Sequence, residues 1–134
     1  MDASSFPDIE IATPFKNEGY ALVGAAFEVH RTIGGGLLEE VYQECLEMEL
    51  AARGSPFVAK QALSIYYKGQ QLRKCYIPDL CVYGGVVVEL KAVGEFLPEH
   101  VAQLMNYMRL ARKPVGYLLN FAPLDKLRWQ RFIL

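Results

Sequence analysis

Pro78-Asp79, followed across a Gly84-Gly85 turn by Glu89-Leu90-Lys91, sets two carboxylates and a lysine at the ends of short strands. Val86 to Lys91 is apolar and β-branched, and a side-chain period of two sends Glu89 and Lys91 to one face and Val88 and Leu90 to the other. Carboxylate oxygens, completed by a backbone carbonyl and water, are hard ligands suited to Mg²⁺ or Mn²⁺ and poorly suited to soft metals. Such an ion acidifies bound water and neutralises charge on a phosphorane-like transition state, while a neighbouring lysine orients the nucleophile or shares that charge. The chemistry open to these residues is metal-assisted hydrolysis of a phosphodiester.

Asp79 must then be carried to Glu89. The run from Leu72 to Tyr83 ends in the Gly-Gly pair of a tight reverse turn and is expected to pair antiparallel with Val86 to Lys91. Pro78 cannot donate to a ladder, which puts Asp79 at a bulge or a sheet edge where pairing is loosened. Residues 57 to 67 read as a first strand, Lys68-Gly69-Gln70 as a turn and residues 71 to 82 as a second, so that with the Glu89 strand they make a three-stranded meander. A helix from Pro98 to Ala111 carries Gln103 and Tyr107 at i and i+4 on one face, and a final strand runs from Val115 to Phe121.

Upstream, apolar residues at Tyr20, Val23, Phe27 and at Leu22, Ala26, Val29 predict a helix over about 17 to 32 with a wide buried face. Gly34-Gly35-Gly36 ends it. With no lysine and serine or threonine following, the glycines fit a helix break with close packing better than a phosphate cradle. A second helix runs to about Arg53, with Leu38, Val41, Cys45 and Leu46 on one stripe and Glu40, Glu44 and Glu47 on another. Residues 1 to 16 form a loose leader, and residues 17 to 134 a single domain. Helix, helix, three strands, helix, strand is the order of an α/β sandwich.

Each residue also has a bland account. Glu89 and Lys91 could be a solvated pair on an edge strand, Asp79 a turn residue after proline, and Gln103 an amide serving a helix–sheet junction. Pro7-Asp8 repeats the first dipeptide with no strand pattern beside it, so spacing and context carry the inference. His30 is expected to complement a helix dipole, and His100, three residues before Gln103, is not nominated.

Composition bounds the function. In 134 residues, 52% of them hydrophobic, there is enough apolar material for one core. A net charge of −1 counts against tight, unassisted nucleic-acid binding, although Arg109, Arg112 and Lys113, then Lys126, Arg128 and Arg131, concentrate positive charge late in the chain. Most of these read as solvated surface, with one or two lining a phosphate path. Cys45, Cys75 and Cys81 lack C-x-x-C spacing and fit a reducing cytoplasm. No signal peptide or membrane span is expected, so the protein is placed in the cytoplasm.

Three segments together resemble the small GxxExxY proteins of the PD-(D/E)XK nuclease superfamily: Gly36-Leu37-Leu38-Glu39-Glu40-Val41-Tyr42, Pro78-Asp79 with Glu89-Leu90-Lys91, and Gln103-Leu104-Met105-Asn106-Tyr107. With Gly24 to His30 ahead of the first, they span Tyr20 to Phe121. The resemblance implies a restriction-endonuclease-like three-layer sandwich, a mixed central sheet flanked by helices. It implies a Mg²⁺- or Mn²⁺-dependent nuclease, with Asp79, Glu89, Lys91, Glu39 and Gln103 as catalytic residues. Asp79, Glu89, Glu39 and the Leu90 backbone carbonyl are the implied metal ligands. Its partner would be nucleic acid, DNA by family implication, and a homodimer would let so small a chain grip both strands. Two readings stand beside it: a nuclease-fold module that binds without cleaving, and a subunit active only with a partner.

Overall fold

A computed structural model describes residues 13–134; residues 1–12 of the expected leader lie outside the described residues. Among the described residues three α-helices and seven strands follow in the order α1 Lys16–Ile33, α2 Glu39–Ala52, β1 Phe57–Ala59, β2 Leu63–Tyr67, β3 Gln70–Tyr76, β4 Leu80–Val82, β5 Val86–Lys91, α3 Pro98–Ala111, β6 Val115–Asn120 and β7 Arg128–Ile133. The main sheet has the order β1-β4-β5-β6-β7, and β2-β3 is a separate hairpin. Only the β5–β6 pair is parallel among these ladders, as a crossover through α3 requires, so the sheet is mixed.

Burial explains the layering. Strands β5 and β6 are almost wholly buried, which is the signature of strands covered on both faces. On one face α1 and α2 pack Leu22, Ala26, Tyr42, Leu46 and Leu50 against Val86, Val88, Leu90 and Leu119. On the other, Leu104 and Met108 of α3 pack with Ile65 and Tyr76 of the hairpin onto Val87 and Leu118. Gly116 lets α3 approach closely: a Cβ there would stand 2.4 Å from the Met108 sulfur. No helix among the described residues is long and apolar enough to cross a membrane.

The expected meander is cut and redistributed. The first strand breaks at residues 60–62 and the second at residues 77–79, so their outer parts form the hairpin and their inner parts, β1 and β4, join β5 in the main sheet. Lys60, left-handed at φ 53°, turns the chain out of β1. Strand β7 was not expected, because Arg128–Ile133 carries no period-two apolar pattern; it is a largely exposed edge strand pairing antiparallel with β6.

The helix faces also differ from expectation. Tyr20 is 74% exposed and Leu38 70% exposed, and the buried stripe of α2 is Tyr42, Leu46 and Leu50. Tyr42 is structural: its ring stacks on Phe121, its hydroxyl donates to the Gly34 carbonyl at 2.7 Å, and it accepts the Leu37 N–H at 3.0 Å. The glycine run is a packed helix break, since a Cβ on Gly35 would lie 2.3 Å from the Pro123 carbonyl oxygen. His30 stands in the last turn of α1, as expected, and is buried there with Nε2 2.6 Å from that same carbonyl, which adds a tertiary tie.

Candidate active site

Strand β4 begins one residue after Asp79, and its ladder to β5 runs only from Val88 to Val86, so the last three residues of β5 have no β4 partner. Asp79 fills the gap. Its Oδ2 accepts the Leu90 N–H at 2.8 Å, and its own N–H donates to Glu89 Oε1 at 3.3 Å. The Glu89 carboxylate is thereby tied to the Asp79 backbone, and the Asp79 carboxylate to the backbone of Leu90, the residue after Glu89. The Lys91 carbonyl accepts the Phe121 N–H at 2.9 Å on the β6 side. On an extended strand the preceding carbonyl, that of Leu90, points the opposite way, towards Asp79.

Glu89 and Lys91 open into a cavity of about 370 Å³ whose far wall is α3, through His100, Gln103, Leu104 and Tyr107. Gln103 thus faces the Glu89–Lys91 pair, and His100 reaches the same space. Asp79 opens the other way, into a cavity of about 220 Å³ shared with Glu39, Glu40, Gln43 and Lys60. The five residues nominated from sequence therefore flank one strand end but divide between two adjoining cavities.

Three side chains that the sequence did not single out hold this arrangement. Lys60 forms an ion pair and a hydrogen bond with Asp79 Oδ1, and its backbone N–H meets the Asp79 carbonyl at 3.3 Å. The Asp79 hydrogen bond, with the charges of Glu89 and Glu39, raises the Lys60 pKa above its ordinary value. Gln43 donates to the Asp79 carbonyl at 2.9 Å and ties α2 to the start of β4. Tyr76 donates its hydroxyl to Glu89 Oε1. Its ring stacks on Tyr107 with centroids 3.9 Å apart and planes 5° from parallel, so Tyr107 braces the residue that braces Glu89. Of these, only Gln43 carried a local signal, one helical turn from Glu39.

Burial pushes the Glu89 carboxyl up to about 7 and the Asp79 charge adds to it, while the Tyr76 hydroxyl, Lys91 and the Asp79 N–H pull the other way. Burial and the adjacent carboxylates raise Tyr76 far above the usual phenol range, so it remains a donor.

All the candidate donors are oxygens, the chemistry of a hard divalent ion. Among the described residues no three His, Cys, Asp or Glu side chains group as metal ligands. The donor set fits an ion held by two carboxylates, Asp79 and Glu89, with the Leu90 carbonyl and water, as Mg²⁺ commonly is. Glu39, across the second cavity, does not complete a three-carboxylate cluster.

A mixed sheet with helices on both faces and carboxylates at an opened strand end is the architecture of a restriction-endonuclease-like fold. The sequence matches the PD-(D/E)XK nuclease superfamily over residues 16–132, and the chain belongs to that superfamily. Its fold is similar to the crystal structure of SSO0001, with a TM-score of 0.58 and 19% identity over 89% of this chain and 59% of that one. It is also similar to an alkaline exonuclease, LHK-Exo, from Laribacter hongkongensis, with a TM-score of 0.50 and 14% identity over 70% of this chain and 55% of that one. The chain spans a little over half the length of each of these proteins. Comparison with curated protein sequences finds no match.

Proposed function

We propose that the chain is a divalent-metal-dependent phosphodiesterase acting on nucleic acid, DNA by family implication. The observation that carries this is the pair of hydrogen bonds that ties Asp79 to Glu89 and Leu90 at the end of β5, with Lys91 and Gln103 facing the same cavity as Glu89. Asp79, Glu89 and the Leu90 carbonyl would hold Mg²⁺ or Mn²⁺, which when bound supplies Lewis acidity and positive charge at the scissile phosphate. Lys91 would orient the attacking water and share the charge that develops on phosphate. Gln103 would hold a phosphate oxygen or that water, and Glu39 would act across the second cavity. Membership of the superfamily and the fold's likeness to an alkaline exonuclease support nucleic acid as substrate. The GxxExxY signature, the homodimer and the cytoplasmic setting belong to the same reading.

The Lys60–Asp79 pair favours one alternative, a nuclease-fold module in which an internal ammonium stands in for the metal and binding occurs without cleavage. Both are tested by incubating labelled single- and double-stranded DNA and RNA with Mg²⁺ or Mn²⁺ and the wild type, Lys91→Ala or Asp79→Ala, each shown folded by circular dichroism. Metal-dependent cleavage lost in both variants is expected. Equal cleavage by all three would remove these residues from the chemistry, and no cleavage by the wild type would leave the binding module or a subunit active only with a partner.

A further inference from the structure

The net charge of −1 conceals a strong separation. Helix α2 holds five glutamates, Glu39, Glu40, Glu44, Glu47 and Glu49. From Ser55 to Pro78, by contrast, there are four cations, Lys60, Lys68, Arg73 and Lys74, and no acid. The stretch from His100 to Leu124, which includes nearly all of α3, holds Arg109, Arg112 and Lys113 and again no acid. A surface that only needs to be soluble intersperses the two signs. Here both walls of one seam, the β2–β3 hairpin and α3 from His100 onward, lack acid.

That seam is hollow at two places. The first is the cavity that contains Glu89 and Lys91, between the base of the hairpin and the N-terminal half of α3. The second, about 490 Å³, lies between the hairpin tip and the end of α3, lined by Ser64, Tyr66, Lys68, Leu110 and Arg112 among others. Gln103, Tyr107 and Leu110 fall at i, i+4 and i+7, so a single stripe of α3 lines both cavities. At 1.5 Å per residue, Gln103 and Ala111 are about 12 Å apart along the helix axis. A phosphodiester chain seated at Lys91 and following this stripe reaches the tip within a few nucleotides.

The hairpin is equipped for a strand whose bases are unpaired. Tyr66 is 47% exposed and Tyr67 64% exposed, large flat side chains left uncovered next to lysine. Lys68 lies over the Tyr67 ring at 5.5 Å. Residues Gln70 to Cys75 of β3, which include Arg73 and Lys74, are all exposed. Aromatic platforms interleaved with cations bind single strands, because every base offers a π face and every phosphate a charge. Resting on the hydrolytic reading of the site, we infer that the seam between the β2–β3 hairpin and α3 is the track along which single-stranded nucleic acid reaches Glu89 and Lys91.

The test is fluorescence anisotropy of a labelled oligo-thymidine in EDTA across a salt series. It compares the wild type with a seam variant, Lys68→Gln, Arg73→Gln, Lys74→Gln and Arg112→Gln, and a charge-matched control, Arg31→Gln, Arg53→Gln, Lys126→Gln and Arg128→Gln. Each phosphate contact adds about −0.7 to the slope of log K against log salt for a single strand, so the seam variant should flatten the slope by up to about 3 while the control leaves it unchanged. Tyr66→Ala with Tyr67→Ala should weaken binding at least about fivefold with little effect on the slope, as loss of stacking predicts. Equal slopes for seam variant and wild type, no binding by the wild type, or duplex bound at least about tenfold more tightly than the single strand would each overturn the inference. Lys91→Ala separates the two claims: it should lose cleavage altogether while flattening the binding slope by no more than about 0.7, the share of one phosphate contact. A wild type that binds through the seam but never cleaves would remove the hydrolytic reading and keep the track.

Discussion

Tyr76→Phe isolates what the structure asks of one hydroxyl. The ring keeps its stack on Tyr107, and only the donor to Glu89 Oε1 is lost. A hydrogen bond to a charged group contributes about 1.5–3 kcal/mol, and about 1.4 kcal/mol corresponds to one pH unit. The Glu89 pKa, already pushed up to about 7, should therefore rise by a further one to two or so. At about pH 7 the ionised fraction falls from about one half to between about a tenth and a hundredth, and apparent Mg²⁺ affinity should drop about five- to fiftyfold, because only the carboxylate binds metal. Near pH 9 the wild type is almost fully ionised and the variant at least about half so, and the gap should close to about twofold or less. Isothermal titration of Mg²⁺ at the two pH values reads this directly. An affinity ratio that is the same at both would refute the reasoning, since the hydroxyl would then act on geometry and not on protonation.

Other perturbations follow from the same contacts. Because Glu89 is raised from 4.5 to about 7 in the folded state, its contribution to stability is fully present below about pH 4.5 and is lost as pH rises to about 7. Urea unfolding in EDTA should accordingly show a loss of up to about 3 kcal/mol across that window, with Mg²⁺ restoring stability most at the high end. Lys60→Met removes the ammonium that competes for Asp79 Oδ1; as the lysine is more than half exposed, the gain in metal affinity by titration should be no more than about fivefold. Tyr42→Phe, at a fully buried site, should cost about 1–2 kcal/mol in chemical unfolding by stranding the Gly34 carbonyl and the Leu37 N–H, without changing metal affinity.

The local order of helices and strands was legible because it rests on short-range rules. The apolar periodicity of α1, the valine run of β5, the Gly84-Gly85 turn and the buried strand Val115–Asn120 are each written in consecutive residues. Glu89 and Lys91 share a face for the same reason, since alternation along a strand needs no partner. The α2 stripe is only partly legible: Leu46 is buried as expected, but Leu38 and Val41 match the helical period as well as Tyr42 and Leu50 do. Only the neighbouring layer decides which face is covered. Strand β7 was invisible because an edge strand that meets its sheet through backbone hydrogen bonds requires no apolar pattern.

Sequence alone determined that two carboxylates and a lysine would stand near one turn, since the motif's residues are joined by a hairpin of about ten residues whose closure is local. What tertiary structure decided is how those groups are held. Lys60 reaches Asp79 from 19 residues away, Tyr76 reaches Glu89 across 13, and Gln43 reaches the Asp79 carbonyl across 36. Pro78 marks loosened pairing at residues 77–79 in the sequence, but the break at residues 60–62 and the departure of the hairpin from the main sheet towards α3 are tertiary. Contacts of that span depend on which layers meet. A periodic pattern records that a face is buried, but not what lies against it.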